Sequence, residues 1–281
     1  MNRQRADRLA TGLITAVAAL VVIPVILVIV FLVWNGLSAL SWEFLTAAPR
    51  NGMKEGGIMP AILGTLLLTF ATAIAAFPLA ILAAIYLAEY AGDTRLTRWV
   101  RLAIVNLAGI PSIVYGLFGL GMFVLFLGLG TSIVAGALTL GLLTLPVVIS
   151  TSEEAILSVP QSFRLVSYSL GATKWQTIRH QVLPHALPGI LTGIILGLGR
   201  AAGETAPILF TVAAFYLPEL PGSIFDQTMA LPYHLYVIST QVPGMPLKVQ
   251  YGTALVLMLI VLSLTLVATI VRTTMRRRRD W

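Results

Sequence analysis

Residues 187–207 read LPGILTGIILGLGRAAGETAP, thirteen uncharged residues followed by Arg200 and, four positions on, Glu204. Composition decides what such a run is. The chain has 281 residues, 58% hydrophobic and 10% charged, with a mean hydropathy of +0.92. A soluble domain is about a quarter charged, because a core that buries this much apolar surface needs a polar shell around it. The solvent for most of this chain is therefore lipid, and the run is a membrane helix with an ion pair inside it.

About 20 apolar residues cross the hydrocarbon core as a helix, and backbone groups cannot stay unpaired in lipid, which leaves helices to carry such runs. Six stretches qualify, at about 11–33, 58–88, 101–127, 131–150, 187–215 and 249–271. Only Gly128 to Thr131 separates the third from the fourth, room for a tight turn. The N-terminal run follows Arg3, Arg5 and Arg8 as a signal peptide would, but it extends to Trp34 with no convincing small-residue cleavage site, so a retained first helix is expected. Trp34, Trp42 and Trp99 fall near the ends of spans, as an interfacial belt requires. No internal repeat, low-complexity tract or soluble domain is evident.

The cations set the orientation. With the N-terminus inside, the inner segments hold fourteen of them: Arg3, Arg5, Arg8, Arg95, Arg98, Arg101, Arg164, Lys174, Arg179, Arg272 and Arg276 to Arg279. The outer segments hold three, Arg50, Lys54 and Lys248. Both termini are expected in the cytoplasm, with Arg276 to Arg279 as a retention signal and anionic-lipid contact. This placement explains the net charge of +7 better than a nucleic-acid partner would. A cytoplasmic connection of about 151–186 is polar and partly helical. The outer connection, about 216–248, contains Pro218, Pro221, Pro232, Pro243 and Pro246 and is expected to be an ordered loop with little helix.

Arg200 stands about 20 Å along a helix that begins at Leu187, and a cation at that depth normally faces the bundle interior or a wet cavity. Glu204 follows on the same helix face. The guanidinium is a planar fork of donors that fits a tetrahedral oxyanion, although a structural ion pair that only fixes packing has the same spacing. The pairs Gly193/Gly197 and Gly199/Gly203 suit close helix approach, and Pro207 is expected to kink the helix beyond the ion pair. Pro111, inside the third span, frees a backbone carbonyl, either as a packing kink or as a functional break.

The chain lacks the parts of an engine. A nucleotide-binding P-loop needs glycine immediately before its lysine, whereas Lys54, Lys174 and Lys248 follow Met53, Thr173 and Leu247. Cysteine is absent, and His180, His185 and His234 lack tight metal-ligand spacing. No hydrolytic constellation lies outside the spans, so the chain is not expected to be an enzyme, nor to hold a cofactor or metal.

Several stretches resemble a known family. The cytoplasmic connection is similar to the coupling loop of ABC importer permeases, whose pattern is Glu-Ala-Ala, three residues, Gly, then nine residues before Ile-x-Leu-Pro. Gly171 and Leu183-Pro184 match in spacing, while Leu165-Val166-Ser167 replaces the acidic start and Gln181 stands where Ile is usual. The stretches 56–65, 110–116, 170–177 and, above all, 200–207 resemble the phosphate-specific subfamily, its PstA-type subunit in particular. The resemblance covers roughly residues 56–271. It implies an all-α membrane protein with the six-helix type I ABC importer permease (MetI-like) fold, formed by one transmembrane domain over 1–281. It implies four further partners: a second related permease (PstC-type), two ATPase subunits (PstB-type) that bind ATP and Mg, and an extracytoplasmic phosphate-binding protein (PstS-type). It places Arg200, Glu204 and Thr205 in the substrate pathway and Gly171, Ala172, Thr173, Leu183 and Pro184 in coupling to the ATPase. The segment Ser167–Thr177 is expected to form a short helix in a groove of the ATPase, turned by Gly171. The localisation implied is a bacterial-type plasma (inner) membrane. Other readings are a permease for sulfate or molybdate, an ion-gradient-driven transporter using Glu204 as a proton site, and a sensor or scaffold.

Overall fold

The computed structural model describes the backbone of residues 3–277 and the side chains of residues 11–275, so the basic-tail side chains from Arg276 to Arg279 lie outside the described residues. Helix α1 (Arg3–Gly36) leads through a short α2 (Trp42–Thr46) to a two-stranded hairpin of β1 (Pro49–Arg50) and β2 (Glu55–Gly56), paired antiparallel with Arg50 opposite Glu55. Then follow α3 (Met59–Ile85), α4 (Arg95–Ala108), α5 (Ser112–Gly119), α6 (Ile133–Leu157), α7 (Gln161–Ser169) and α8 (Lys174–Thr177). The chain ends with α9 (Leu183–Gly203), α10 (Ala206–Leu209), α11 (Leu231–Thr240) and α12 (Leu247–Arg277). Wide π turns extend α3 over Tyr86–Tyr90, extend α5 over Leu120–Phe126 and join α8 to α9 over Ile178–Val182.

Five helical runs are long and apolar enough to cross a membrane: Thr11–Ala39, Met59–Tyr90, Ile133–Leu157, Lys174–Gly203 and Leu247–Met275. A sixth arises if the pair Arg95–Ala108 and Ser112–Phe126, bent by 103°, is taken together. Four sequence expectations change. The stretch 101–127 is an elbow, because Pro111 has no N–H to continue α4 and restricts the residue before it. The fourth span does not stop at residue 150. It runs to Leu157, since Glu153 has a partner in Arg101 at 2.7 Å and its charge does not end the helix. The stretch 187–215 is not one helix, as α9 ends at Gly203. The outer connection 216–248 contains the largely buried α11, where Pro232 lies in the first turn, a position in which its missing N–H costs nothing.

Packing explains the order of the helices. Two-thirds of the most apolar window of α6 is buried, against none of that of α1, so α6 is the centre and α1 faces outward. Helices α3 and α9 both pack on α6, α12 packs on α9, and α1 leans chiefly on α12. A glycine stripe makes the α6–α9 contact possible: a Cβ at Gly189 would come within 2.4 Å of Ala155 Cβ, one at Gly193 within 3.1 Å of Thr151 and one at Gly197 within 3.0 Å of Val148. The expected pair Gly193/Gly197 thus lies on α6. Gly199 faces Thr265 of α12 at 3.3 Å, and Gly203 faces open space. Buried Thr65, Thr69, Thr72, Thr139 and Thr144 each donate to a carbonyl of their own helix, so these hydroxyls do not form a polar path. Thr65 does one thing more: its Oγ1 accepts from Leu231 N at 2.8 Å and fixes the start of α11 to α3.

Candidate functional site

The elbow between α4 and α5 is braced by a side chain. Pro111 cannot donate to the carbonyl four residues back, that of Leu107. Tyr115, one turn into α5, donates its hydroxyl to Leu107 O at 2.7 Å, and Ile110 N reaches the same oxygen at 3.2 Å. The carbonyl that the proline frees is therefore satisfied within the elbow itself. Sequence reading found the proline and missed the tyrosine, although a tyrosine four positions beyond Pro111 was the available signal.

The second feature is the end of α9. Its last turn carries Arg200, and Glu204 is the residue after the helix, with φ −75° and ψ 135°. Glu204 is therefore extended backbone rather than a residue of the same helical face, and the helix stops there instead of bending at Pro207. Pro207 contributes to the stop, since it has no N–H for the carbonyl of Gly203 and sits instead in the first turn of α10, where proline is accepted. The two charges still meet: Arg200 Nε lies 3.2 Å from Glu204 Oε1, with side chains 31% and 18% exposed. Arg200 is about 26 Å along α9 from Leu183, in the final turn, where the negative end of the helix dipole favours a cation. Thr205 follows and precedes α10, its carbonyl accepting from Leu209 N at 3.2 Å.

These two features adjoin. A Cβ at Gly116 of α5 would lie 2.9 Å from the Phe210 ring and 3.0 Å from Ala206 O and from Pro207 Cα, so α5 rests on the segment just past the break. A half-exposed guanidinium with one side-on carboxylate can take a second anionic ligand, and the free carbonyls of a broken helix are tolerated at membrane depth only beside protein or a wet cavity.

The residues expected to act in coupling form a different cluster. The end of α7 is a Schellman turn: Ala172 N donates to Ser167 O at 3.2 Å, Gly171 N donates to Tyr168 O at 2.9 Å, and Gly171 has φ +81°. Thr173 then caps α8 in a capping box with Gln176. Ser167–Thr177 is thus a helix end, a turn and a helix start, while the helix proper is Gln161–Ser169. Leu183 and Pro184 open α9 at the far end of the π turn. Arg164 and Ser167 point inward, Ser167 Oγ lying 2.8 Å from Thr177 Oγ1, while Leu165, Val166 and Leu170 are exposed. A groove of about 780 Å³ runs between α7 and α8, lined by Phe163, Val166, Leu170, Gln176 and His180. Sequence reading also missed the buried pair of Arg164 with Glu89, whose members are 75 residues apart. Their signal was only that each is a charge beside an apolar run.

Comparison with known proteins agrees with this architecture. The family described as "Binding-protein-dependent transport system inner membrane component" matches residues 76–281. The Bacillus subtilis protein named "Probable ABC transporter permease protein YqgI" is 36% identical over 253 residues, 86% of each chain. The Mycobacterium tuberculosis protein named "Phosphate transport system permease protein PstA 1" is 38% identical over 250 residues, 88% of this chain and 81% of that one. Among solved structures, a chain of a bacterial ABC transporter for import of the acidic polysaccharide alginate superposes with a TM-score of 0.66 at 15% identity, covering 99% of this chain and 100% of that one. That likeness shows the type I ABC importer permease fold. The chain belongs to the family of binding-protein-dependent transport system inner membrane components and is a multi-pass ABC transporter permease.

Proposed function

We propose that this chain is the PstA-type permease of an ATP-driven phosphate importer and forms half of the translocation pathway. The observation that carries the reading is the Arg200–Glu204 pair at the broken end of α9, set against α5 just beyond its elbow. The relatives named as phosphate permeases support the substrate. Arg200 holds the oxyanion during passage, Glu204 compensates the guanidinium when the pathway is empty, and Thr205 lies in the same pathway. Phosphate at neutral pH keeps a proton and can donate to Glu204, whereas sulfate has none to give. A site that uses this hydrogen bond rejects the analogue strongly, because buried polar groups are then left unpaired.

A second, PstC-type permease completes the pathway, two PstB-type ATPase subunits bind ATP with Mg, and a PstS-type extracytoplasmic protein delivers phosphate. The distribution of Lys and Arg supports a plasma (inner) membrane orientation with both termini cytoplasmic. In that orientation the α7–α8 unit faces the ATPase, with exposed Leu165, Val166 and Leu170 as its contact. Residues 1–281 then form a single transmembrane domain with one coupling segment.

The test is reconstitution of the complete transporter in proteoliposomes with labelled phosphate. ATP-dependent uptake that excess sulfate or molybdate leaves unchanged is expected. Equal competition by sulfate or molybdate would assign another oxyanion, and uptake driven by an ion gradient without ATP would reject the reading.

A further inference from the structure

Three cations from three helices converge on the π turn Tyr86–Tyr90 at the end of α3. Arg101 of α4 donates through Nη2 to Leu87 O at 3.1 Å and pairs with Glu153 of α6 at 2.7 Å. Arg164 of α7 reaches Glu89 Oε1 through Nη2 at 2.6 Å and through Nε at 3.1 Å. Its Nη1 donates to Val159 O at 2.7 Å, and its Nη2 donates also to Ile156 O at 3.0 Å. Lys174, at the head of α8, sits 4.8 Å from the centre of the Tyr90 ring.

The Arg164–Glu89 pair is unlike a surface ion pair. Its side chains are 8% and 6% exposed, against 64% and 83% for Arg98 and Asp93. Desolvation makes a buried pair a poor source of stability, and an apolar pair of the same size would often do as well. What the pair supplies is direction. One guanidinium engages two carbonyls at the end of α6 and beyond it and a carboxylate on α3, so α7 cannot shift without moving them. The receiving segment is a π turn, a rare geometry frequent at functional sites. Both routes that leave this turn end at the broken helix. Helix α3 packs on α6, and α6 packs on α9, which carries Arg200. Arg101 ties the same turn to α4, the first arm of the elbow whose second arm rests on α10.

We propose that the π turn Tyr86–Tyr90 is the socket through which movement of the α7–α8 unit enters the helix bundle, with Arg164 as its positioning residue and Glu89 as the receiver. The inference rests on the reading of α7–α8 as the segment that meets the ATPase. It predicts that breaking the pair separates ATP hydrolysis from transport, which a contact serving only stability would not do.

The experiment uses the complete transporter in proteoliposomes, with ATP hydrolysis and phosphate uptake measured on the same vesicles. Glu89→Gln and Arg164→Gln should each hydrolyse ATP at near the wild-type rate while phosphate moved per ATP falls about tenfold, within the range for a single coupling contact. The charge-exchanged double variant, Glu89→Arg with Arg164→Glu, should recover part of that ratio. The chain has no cysteine, so Glu89→Cys with Arg164→Cys can be joined by a short, reductant-cleavable bifunctional thiol reagent. Joining should raise phosphate per ATP and cleavage should lower it again on the same folded protein. Wild-type phosphate per ATP in the single variants, a ratio that ignores joining and cleavage, or loss of bound ATPase from the variants would overturn the proposal. Wild-type vesicles that hydrolyse ATP without moving phosphate would instead overturn the phosphate reading itself.

Discussion

The hydroxyl of Tyr115 supplies a hydrogen bond that Pro111 takes away, and the two residues together make a bend possible where lipid allows no loose carbonyl. Tyr115→Phe leaves Leu107 O with Ile110 N as its partner, so the expected loss is that of one ordinary bond, about 1 kcal/mol. Thermal unfolding in detergent should then drop by roughly 2–4 °C, and an unchanged midpoint would show that the brace does nothing. The Arg200–Glu204 pair is half open. Neutralising one member should therefore destabilise by less than the roughly 3–5 kcal/mol of a fully buried pair, and Glu204→Gln is expected to insert and fold normally while failing to transport. Exchanging Arg200 and Glu204 should also fail, because the guanidinium would leave the last turn of α9 for the extended residue beyond it.

Among the elements, the α7–α8 turn and α11 make the clearest demands on sequence. Gly171 has φ +81° with open space around it, so a side chain there meets strain rather than a clash, about 1–2 kcal/mol for a left-handed residue. Gly171→Ala should leave ATP hydrolysis intact and reduce uptake severalfold, whereas Gly171→Asn, which tolerates this backbone, should lose less. Normal uptake by the alanine variant would remove the turn from the coupling account. Helix α11 is too short to span and lies outside the spanning helices, and it carries His234, 2% exposed and with no hydrogen-bond partner on Nδ1 among the described residues. Burial pushes its pKa down to about 4. The unfolded chain binds a proton below about pH 6.5 and the folded chain does not, so stability is complete above that pH and falls as pH drops toward 4. Between pH 7 and 5 the loss should be about 2 kcal/mol, read as a lower unfolding temperature that His234→Phe no longer shows. Sequence reading failed most at such elements. Five prolines in 216–248 look like a loop, but Pro232 sits where a helix accepts proline. The elbow and the break after Gly203 were signalled only by Pro111 and Pro207, because apolar length identifies a span without showing how sharply it bends or where it stops.

For the whole molecule, the chain's membrane character and five of the six expected spans followed from hydropathy alone, because a stretch of 20 apolar residues has one stable form in lipid. The pairing of Arg200 with Glu204 was legible too, as opposite charges four residues apart in an apolar run. The contacts between distant segments were not legible, because Arg164 and Glu89 acquire a partner only once α3, α6 and α7 are packed together. Orientation can be tested independently on a chain without cysteine: Ser223→Cys should react with an impermeant thiol reagent from outside in intact cells, and Ser162→Cys only after the membrane is opened. Equal labelling of both would refute the topology. The proposed pathway turns on Arg200, and the most direct measurement is ATP-dependent phosphate uptake by the reconstituted transporter carrying Arg200→Gln. The complex is expected to assemble and hydrolyse ATP while uptake is abolished; uptake at the wild-type rate would make the pair structural and place the pathway elsewhere.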